Sequence, residues 1–249
     1  MKTTIDYTPF AEAYQKRPDY ADTAIAQLME LTKTQSGATV CDVGAGDGHL
    51  TRLLAARGLL VHAVEPNDAM RENGMRATST YPNVRWHEGT GESTGLPSHR
   101  FHLVTFGGSF TLMDRPQALR ETRRLLSSDG FLACLWNHRD LSDPLQAQIE
   151  SIICHYVPGY DYAARCEDQT PIIESSGLFT RVTSFSGKVV HHRSVDDILT
   201  DWRSHGTIQR QAGNRFDLIL KEMEHLLRST GEQSVTIPYT TDGLVAKAM

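Results

Sequence analysis

Nothing in the sequence approaches the run of about 18 apolar residues that a membrane-spanning helix needs. The N-terminus, with Lys2, Thr3, Thr4 and Asp6, has no apolar core of a secretion signal, so the expected location is the cytoplasm. Cysteine is scarce. Cys41, Cys134, Cys154 and Cys166 show no CxxC spacing. The set Cys154, His155 and Cys166 matches no zinc pattern, so no metal is expected. Cys41 and Cys134 fall in strand-like runs and read as buried thiols. Positive charge is not in surplus either: 25 Lys and Arg stand against 30 Asp and Glu, for a net charge of −5. Such a surface repels phosphate backbones and makes nucleic acid a poor partner. Repeats, low-complexity tracts and linker-like charge blocks are missing as well.

What is present is a rhythm. A hydrophobic content of 39% and 249 residues are enough to bury a core without cross-links. Residues 20–33 have helical spacing, 38–43 form a β-prone run, and 47–57 return to helix. A strand at Leu59–Val64, a helix at 67–78, and strands at Val84–His87 and Phe101–Phe106 follow. Residues 115–127 read as helix, Ser128-Asp129-Gly130 as the turn that ends it, and Phe131–Trp136 as a fifth strand. This alternation predicts βαβ units and a mostly parallel sheet covered by helices on both faces. After Asp140 the pattern gives helices at 143–156, 170–176, 195–204 and 214–229, with strands at 178–190 and 234–246. Pro238 in the last strand predicts a position at or near a sheet edge. The helices between the last two strands are the candidate cap over a site.

The chemistry concentrates in Asp42-Val43-Gly44-Ala45-Gly46-Asp47-Gly48, between the first strand and the next helix. In a doubly wound sheet this turn borders the ligand, and glycine lets the backbone come close. A dinucleotide site would show GxGxxG and a helix start free to hold a diphosphate. Here the third glycine comes one residue early and Asp47 stands at the helix start, where a carboxylate repels a diphosphate. Acids at 42 and 47 suit a cationic ligand and weigh against a nicotinamide dehydrogenase. Glu65 ends the second strand, where a carboxylate can accept both hydroxyls of a ribose.

At these residues the sequence resembles the class I S-adenosylmethionine-dependent methyltransferases, in particular the small-molecule group filed as type 11. Val40–Gly48 looks like their first motif and Ala63-Val64-Glu65-Pro66-Asn67 like their second. Gly89–Pro97 is similar to the loop lining the adenine, and Arg123–Leu126 with Asp129-Gly130-Phe131 to the approach to strand five. The resemblance covers about residues 35–137. It implies a seven-stranded sheet of order 3-2-1-4-5-7-6 with the last strand antiparallel, and S-adenosylmethionine as cofactor. Asp42, Gly44 and Gly46 would hold the methionine part, Glu65 the ribose, and Gly91 and Glu92 the adenine. Ala45, Pro66, Met70 and Phe106 complete the expected cofactor set. Gly91 replaces the family's usual small aliphatic residue, which predicts a looser wall. Tyr7 to Tyr20, with Tyr14 and Arg17, looks like a lid crossing the cofactor. The glutamine and histidine-tryptophan pair that many relatives carry after strand four is missing from Gly107–Asp114.

The organisation expected is one domain over 1–249: lid helices at 1–34, a cofactor core at 35–140, and an acceptor cap with the last strands at 141–249. Methyl transfer from a sulfonium needs positioning and desolvation, and a base only where the nucleophile arrives protonated. Three clusters are candidates for the acceptor side: Tyr7, Tyr14 and Phe110; Trp136-Asn137-His138-Arg139-Asp140; and Trp202 to Gln211, which includes His205. Each also has a plain reading, as lid packing, a solvent-facing loop or an exposed helix end. His138 is the first choice for a base. His191 and His192 read as surface strand residues, and Lys221, Glu222 and Glu224 as a solvated helix face. The expected partner is a small molecule with an amine or hydroxyl, of secondary metabolism. An RNA or protein methyltransferase, or a non-catalytic module binding the same nucleoside, are the alternatives. A hydrolase is disfavoured because Gly107-Gly108-Ser109-Phe110 is not GxSxG. Oligomeric state is open.

Overall fold

A computed structural model describes residues 6–160 and 167–249. The apolar runs become β1 (Thr39–Val43), β2 (Leu60–Val64), β3 (Val84–His87), β4 (Phe101–Gly107), β5 (Leu126–Arg139), β6 (Thr183–Ser194) and β7 (Ser234–Lys247). They form one sheet in the order β3-β2-β1-β4-β5-β7-β6. The first five strands pair in parallel, and β7 runs antiparallel to both β5 and β6. Order and sense agree with the expectation.

The central strands are mostly apolar because each feeds two cores. Cys41, Val43, Val104, Phe106, Leu132 and Cys134 point to one face, where α5 (Arg115–Leu125) and α7 (Thr170–Ser175) cover them. Val40, Val61, Leu103, Ala133 and Leu135 point to the other, under α2 (Asp22–Thr32) and α3 (His49–Ala56). A third apolar cluster joins α6 (Pro144–Tyr156), α8 (Val195–Arg203), α9 (Gly206–Ala212) and α10 (Phe216–Ser229) over the Val235–Ile237 end of β7. Helix starts follow side-chain caps: Asn67 accepts from the Met70 N–H at the head of α4 (Asp68–Ala77), and Asp114, Asp143 and Ser194 do the same for α5, α6 and α8.

Three details correct the sequence reading and a fourth refines it. The strand β5 starts at Leu126 rather than after Gly130. Leu126 pairs with Phe101 and Phe131 with Leu103, so the expected turn is absorbed as an irregularity in the ladder. It also runs on to Arg139, which puts Trp136–Arg139 in the sheet opposite Tyr239–Asp242 and not in a loop. The polar stretch 206–212 is the helix α9. Finally, β7 lies near an edge, as expected, but β6 is the edge strand outside it. Pro238 is tolerated because β5 has run out beside it: the last β5 pair is Arg139 with Tyr239, and the Pro238 carbonyl faces the Asp140 N–H on that side. The missing N–H therefore removes no bond to β6. Among the described residues no helix is long and apolar enough to cross a membrane. Cys166 lies outside the described residues, while Cys154 is exposed and the His155 ring stands edge-on to Tyr156 at 4.9 Å.

Candidate active site

The glycine loop turns through three left-handed positions, with φ of +65° at Gly44, +59° at Gly46 and +90° at Gly48. A side chain is strained there. At Gly44 space forbids one as well, because a Cβ would lie 2.6 Å from the Ser109 Cβ. Around the loop stand three acids. Asp42 is buried and accepts from Thr51 Oγ1 (2.7 Å) and Thr105 Oγ1 (2.9 Å). Burial outweighs those two bonds and pushes its pKa up to about 6. It has no ion pair with any described residue. Asp47 is also buried, with His49 Nε2 at 3.4 Å. Glu65 accepts from the N–H groups of Gly46 and Asn67, both at 2.9 Å, through its two different oxygens. Burial raises its pKa against those bonds. Each oxygen retains a lone pair for a further donor.

The segment Tyr7–Tyr20 crosses this loop. It is fastened on one side by Asn67 Nδ2 to Thr8 Oγ1 (3.0 Å) and Asn73 Nδ2 to the Ala11 carbonyl (2.7 Å). On the other, Asn137 Nδ2 donates to the Pro18 and Asp19 carbonyls, and the Ala21 N–H donates to Thr241 Oγ1. His191, expected on the surface, is half-buried with Nε2 3.2 Å from the Asp19 carbonyl. His192 is tied only to Thr236 at an exposed position, and Glu222 and Glu224 bond Tyr156 and Arg228 on an exposed face, as expected. Arg17 lies over the Tyr14 ring at 4.0 Å and donates to Ser204 Oγ and the Ser204 carbonyl, both at 2.9 Å.

A cavity of about 370 Å³ opens between the loop, this segment and the helices α8 and α9. It brings together most of the predicted residues. Asp42, Gly44, Ala45, Gly46, Tyr14 and Arg17, predicted for the cofactor, line it, and so do Tyr7, His138 and His205. Members of all three predicted acceptor clusters therefore face the same space as the glycine loop. His138 Nε2 stands 3.8 Å from Asp242 Oδ2. Among the buried side-chain atoms on this cavity, Trp136 Nε1 and Asp201 Oδ1 have no hydrogen-bond partner. Unsatisfied polar atoms are rare inside proteins, and their convergence on one cavity marks a ligand site.

The structure departs from expectation at two phenylalanines. Phe106 and Phe110 are wholly buried and stand edge-to-face 5.3 Å apart in the core, so neither reaches the cavity. Glu65, Pro66, Met70, Gly91 and Glu92 are off the cavity wall. Glu65 reaches the loop through the Gly46 N–H, and Met70 is buried with its Cε 3.3 Å from where a Gly46 Cβ would stand. Glu92 accepts from the Asp114 N–H. Gly91 does not leave a looser wall: Met113 Sδ sits 2.0 Å from the position a Cβ would take, so a methionine from another segment supplies the missing aliphatic bulk. Within the 136–140 cluster, Asn137 holds the lid and Arg139 pairs with Glu150.

The sequence reading missed His49. Its Nδ1 is 2.6 Å from Asp19 Oδ1, beside Arg52 Nη2 at 2.6 Å from the same oxygen. Burial would lower its pKa, but the bonds to Asp19 and Asp47 win and raise it to about 9. Asp201 was missed as well. Burial raises its pKa while Arg17 and Arg193 pull it back, with Arg193 Nη1 at 2.8 Å. The only local signal for His49 was its place directly after the third glycine.

A sequence-family model described as Methyltransferase domain matches residues 41–134. An uncharacterised methyltransferase of Schizosaccharomyces pombe is 30% identical over 138 residues, covering 55% of this chain and 54% of that one. A 2-phytyl-1,4-naphtoquinone methyltransferase of Thermosynechococcus vestitus is 35% identical over 130 residues, 49% of this chain and 54% of the relative. The chain thus spans about half the length of these relatives. Among solved structures, the phosphoethanolamine N-methyltransferase 2 of Haemonchus contortus, in complex with phosphomonomethylethanolamine and S-adenosylhomocysteine, superimposes with a TM-score of 0.57 at 14% identity. That match covers 98% of this chain and 60% of the other, and at such identity it speaks for the fold. Motif and matched segment agree: residues 41–134, which contain the glycine loop and Glu65, are similar to a methyltransferase domain.

Proposed function

We propose that the protein transfers a methyl group from S-adenosylmethionine to a small-molecule acceptor, in secondary metabolism. The observation that carries this reading is Asp42, a buried carboxylate on the cavity wall with no cation among the described residues to meet it. An uncompensated buried charge is costly. A ligand bringing an ammonium and a sulfonium compensates it and Asp47 together, whereas a diphosphate would add to the repulsion. The residues present therefore fit the cofactor. Asp42 and Asp47 would face the methionine end, the free lone pairs of Glu65 would take the ribose hydroxyls, and Gly91 and Glu92 would border the adenine.

S-adenosylmethionine supplies an electrophilic methyl carbon and a sulfur that leaves with the bonding electron pair. The protein's share is to hold the acceptor in line and keep water away. Tyr7 and Tyr14, edge-to-face at 6.1 Å, line the cavity. Where the nucleophile is a hydroxyl or ammonium, His138 would take its proton, and Asp242 would steady the imidazolium. His205 faces the acceptor side. That the polar clusters border the same cavity as the glycine loop favours an enzyme over a module that only binds the nucleoside. Free thiols, one of them exposed at Cys154, suit a reducing cytoplasm.

Calorimetry tests the reading. S-adenosylmethionine and S-adenosylhomocysteine should bind to one site per chain, and NAD should give no heat. Tight NAD binding with no response to the sulfonium nucleoside or its demethylated product would end the proposal.

A further inference from the structure

The cavity has two electrical halves. The glycine-loop half presents Asp42 and Asp47. The opposite half, between the end of β5 and the helices α8 and α9, presents donors. Arg210 projects from α9 onto this wall at an exposed position, and no carboxylate among the described residues engages it. Trp136 Nε1 is buried on the same cavity with no acceptor in reach. An indole N–H and a guanidinium are donors only, so neither can be satisfied by another donor. The acid that lines this half, Asp201, is already met by Arg193 at 2.8 Å, with Arg17 Nε at 3.9 Å and His205 Nδ1 at 3.8 Å. Arg139, also on this wall, has its charge met by Glu150. The acceptor half thus carries surplus positive charge and unmet N–H groups, beside the aromatic faces of Trp136, Trp202 and Tyr239.

We infer that the methyl acceptor is a small carboxylic acid, anchored through its carboxylate by the Arg210 guanidinium and the Trp136 indole N–H. This rests on the methyltransferase reading and narrows it. A planar guanidinium suits a carboxylate because it can offer two parallel N–H groups. The anchor leaves the acceptor's hydroxyl or amine free to turn toward the cofactor half. An acceptor with only a cationic group would meet Arg210 and Arg17 at close range and be repelled.

The test uses the full chain and three probe pairs: 4-hydroxybenzoate, caffeate and anthranilate, each against its amide. Binding of S-adenosylhomocysteine is measured first. Acid and amide are then titrated into the loaded protein, and transfer from deuterated S-adenosylmethionine is followed by mass spectrometry. At least one acid should bind or be methylated 10-fold or more better than its amide. Arg210→Gln should weaken that acid about 10- to 100-fold in KM or Kd, the size of a lost hydrogen bond to a charged group. Arg210→Lys should recover part of the loss, and Trp136→Phe should weaken the acid about 10-fold while keeping the packing. The Kd for S-adenosylhomocysteine should stay the same in all three variants, which separates anchoring from damage to the fold. If S-adenosylhomocysteine binds but no acid outdoes its amide, or if Arg210→Gln leaves the preference intact, the inference fails and the methyltransferase reading stands. If S-adenosylhomocysteine does not bind, both fall.

Discussion

Asp42→Asn should make the cofactor-free protein more stable and the cofactor site weaker. In the folded protein the Asp42 carboxyl has its pKa raised from 3.8 to about 6. At 1.36 kcal/mol per unit, keeping it ionised at pH 7 costs the fold about 3 kcal/mol. Asparagine removes the charge and keeps the shape. Its oxygen can accept from Thr51 Oγ1, its amide can donate to Thr105 Oγ1, and Thr105 can turn its own hydroxyl to the Cys41 carbonyl at 3.4 Å. Unfolding entropy of roughly 2 cal/mol/K per residue makes 3 kcal/mol worth about 6 °C in a chain of this length. Imperfect replacement bonds lower the expectation to about 3–6 °C at pH 7.5. The sign with pH is distinctive. The raised pKa favours the protonated carboxyl in the fold, so wild-type stability from this group is lost as pH rises from 3.8 through 6. The gap between variant and wild type should be near zero at pH 4, open by pH 6.5 and stay constant above. Differential scanning fluorimetry across that range on cofactor-free protein reads it directly. Calorimetry should show S-adenosylmethionine binding to wild type weakening below about pH 6, up to 10-fold per unit, as Asp42 takes up a proton, and to the variant weakened at every pH. A variant that melts no higher than wild type at pH 7.5, or a gap that does not change between pH 4 and 7, refutes the argument that an uncompensated charge is stored there.

Glu65→Gln should raise the Kd for S-adenosylhomocysteine about 10- to 100-fold, the cost of two charge-assisted bonds to a ribose, and an unchanged titration would refute the ribose role. His138→Ala should lower kcat about 100-fold or more with little change in KM if a proton is transferred, and wild-type turnover would remove it as the base. Gly91→Ala should destabilise by about 1–3 kcal/mol through overlap with Met113, and Met113→Ala in the same chain should restore most of it in thermal melts. His49, its pKa raised to about 9, contributes stability that is full below pH 6.5 and lost as pH rises through 9. His49→Gln should therefore lower Tm at pH 6 and match wild type near pH 10, and a constant deficit across that range would count against it.

The strands and the cofactor loop were legible because their signals are local. Three glycines in seven residues, followed by an acid at the end of the next strand, need no knowledge of distant contacts. Alternate residues feeding two cores left mostly apolar runs such as Phe101–Phe106, and these located the strands well. The misplacements have a common cause. Whether Phe110 faces a cavity or Phe106, whether Gly91 leaves a gap or is filled by Met113, and whether Asn137 binds a ligand or the lid are all decided by residues far away in the chain. Polar runs were the hardest to read. Trp136–Arg139 continue a strand because Tyr239–Asp242 pair with them, about 100 residues later. His49 became a charged group only through Asp19, 30 residues upstream. Pro238 obeyed the rule for edges, but at the scale of one residue rather than a strand.

The fastening of Pro18–Ala21 by Asn137 and Thr241 has a consequence for the order of assembly. A growing chain presents residues 18–21 long before residue 241 leaves the ribosome. The roof of the chamber is thus drawn shut by a residue 220 positions further along the chain. A chain stopped short of residue 241 can complete the parallel half of the sheet and still lack the Thr241 bond that holds its roof in place.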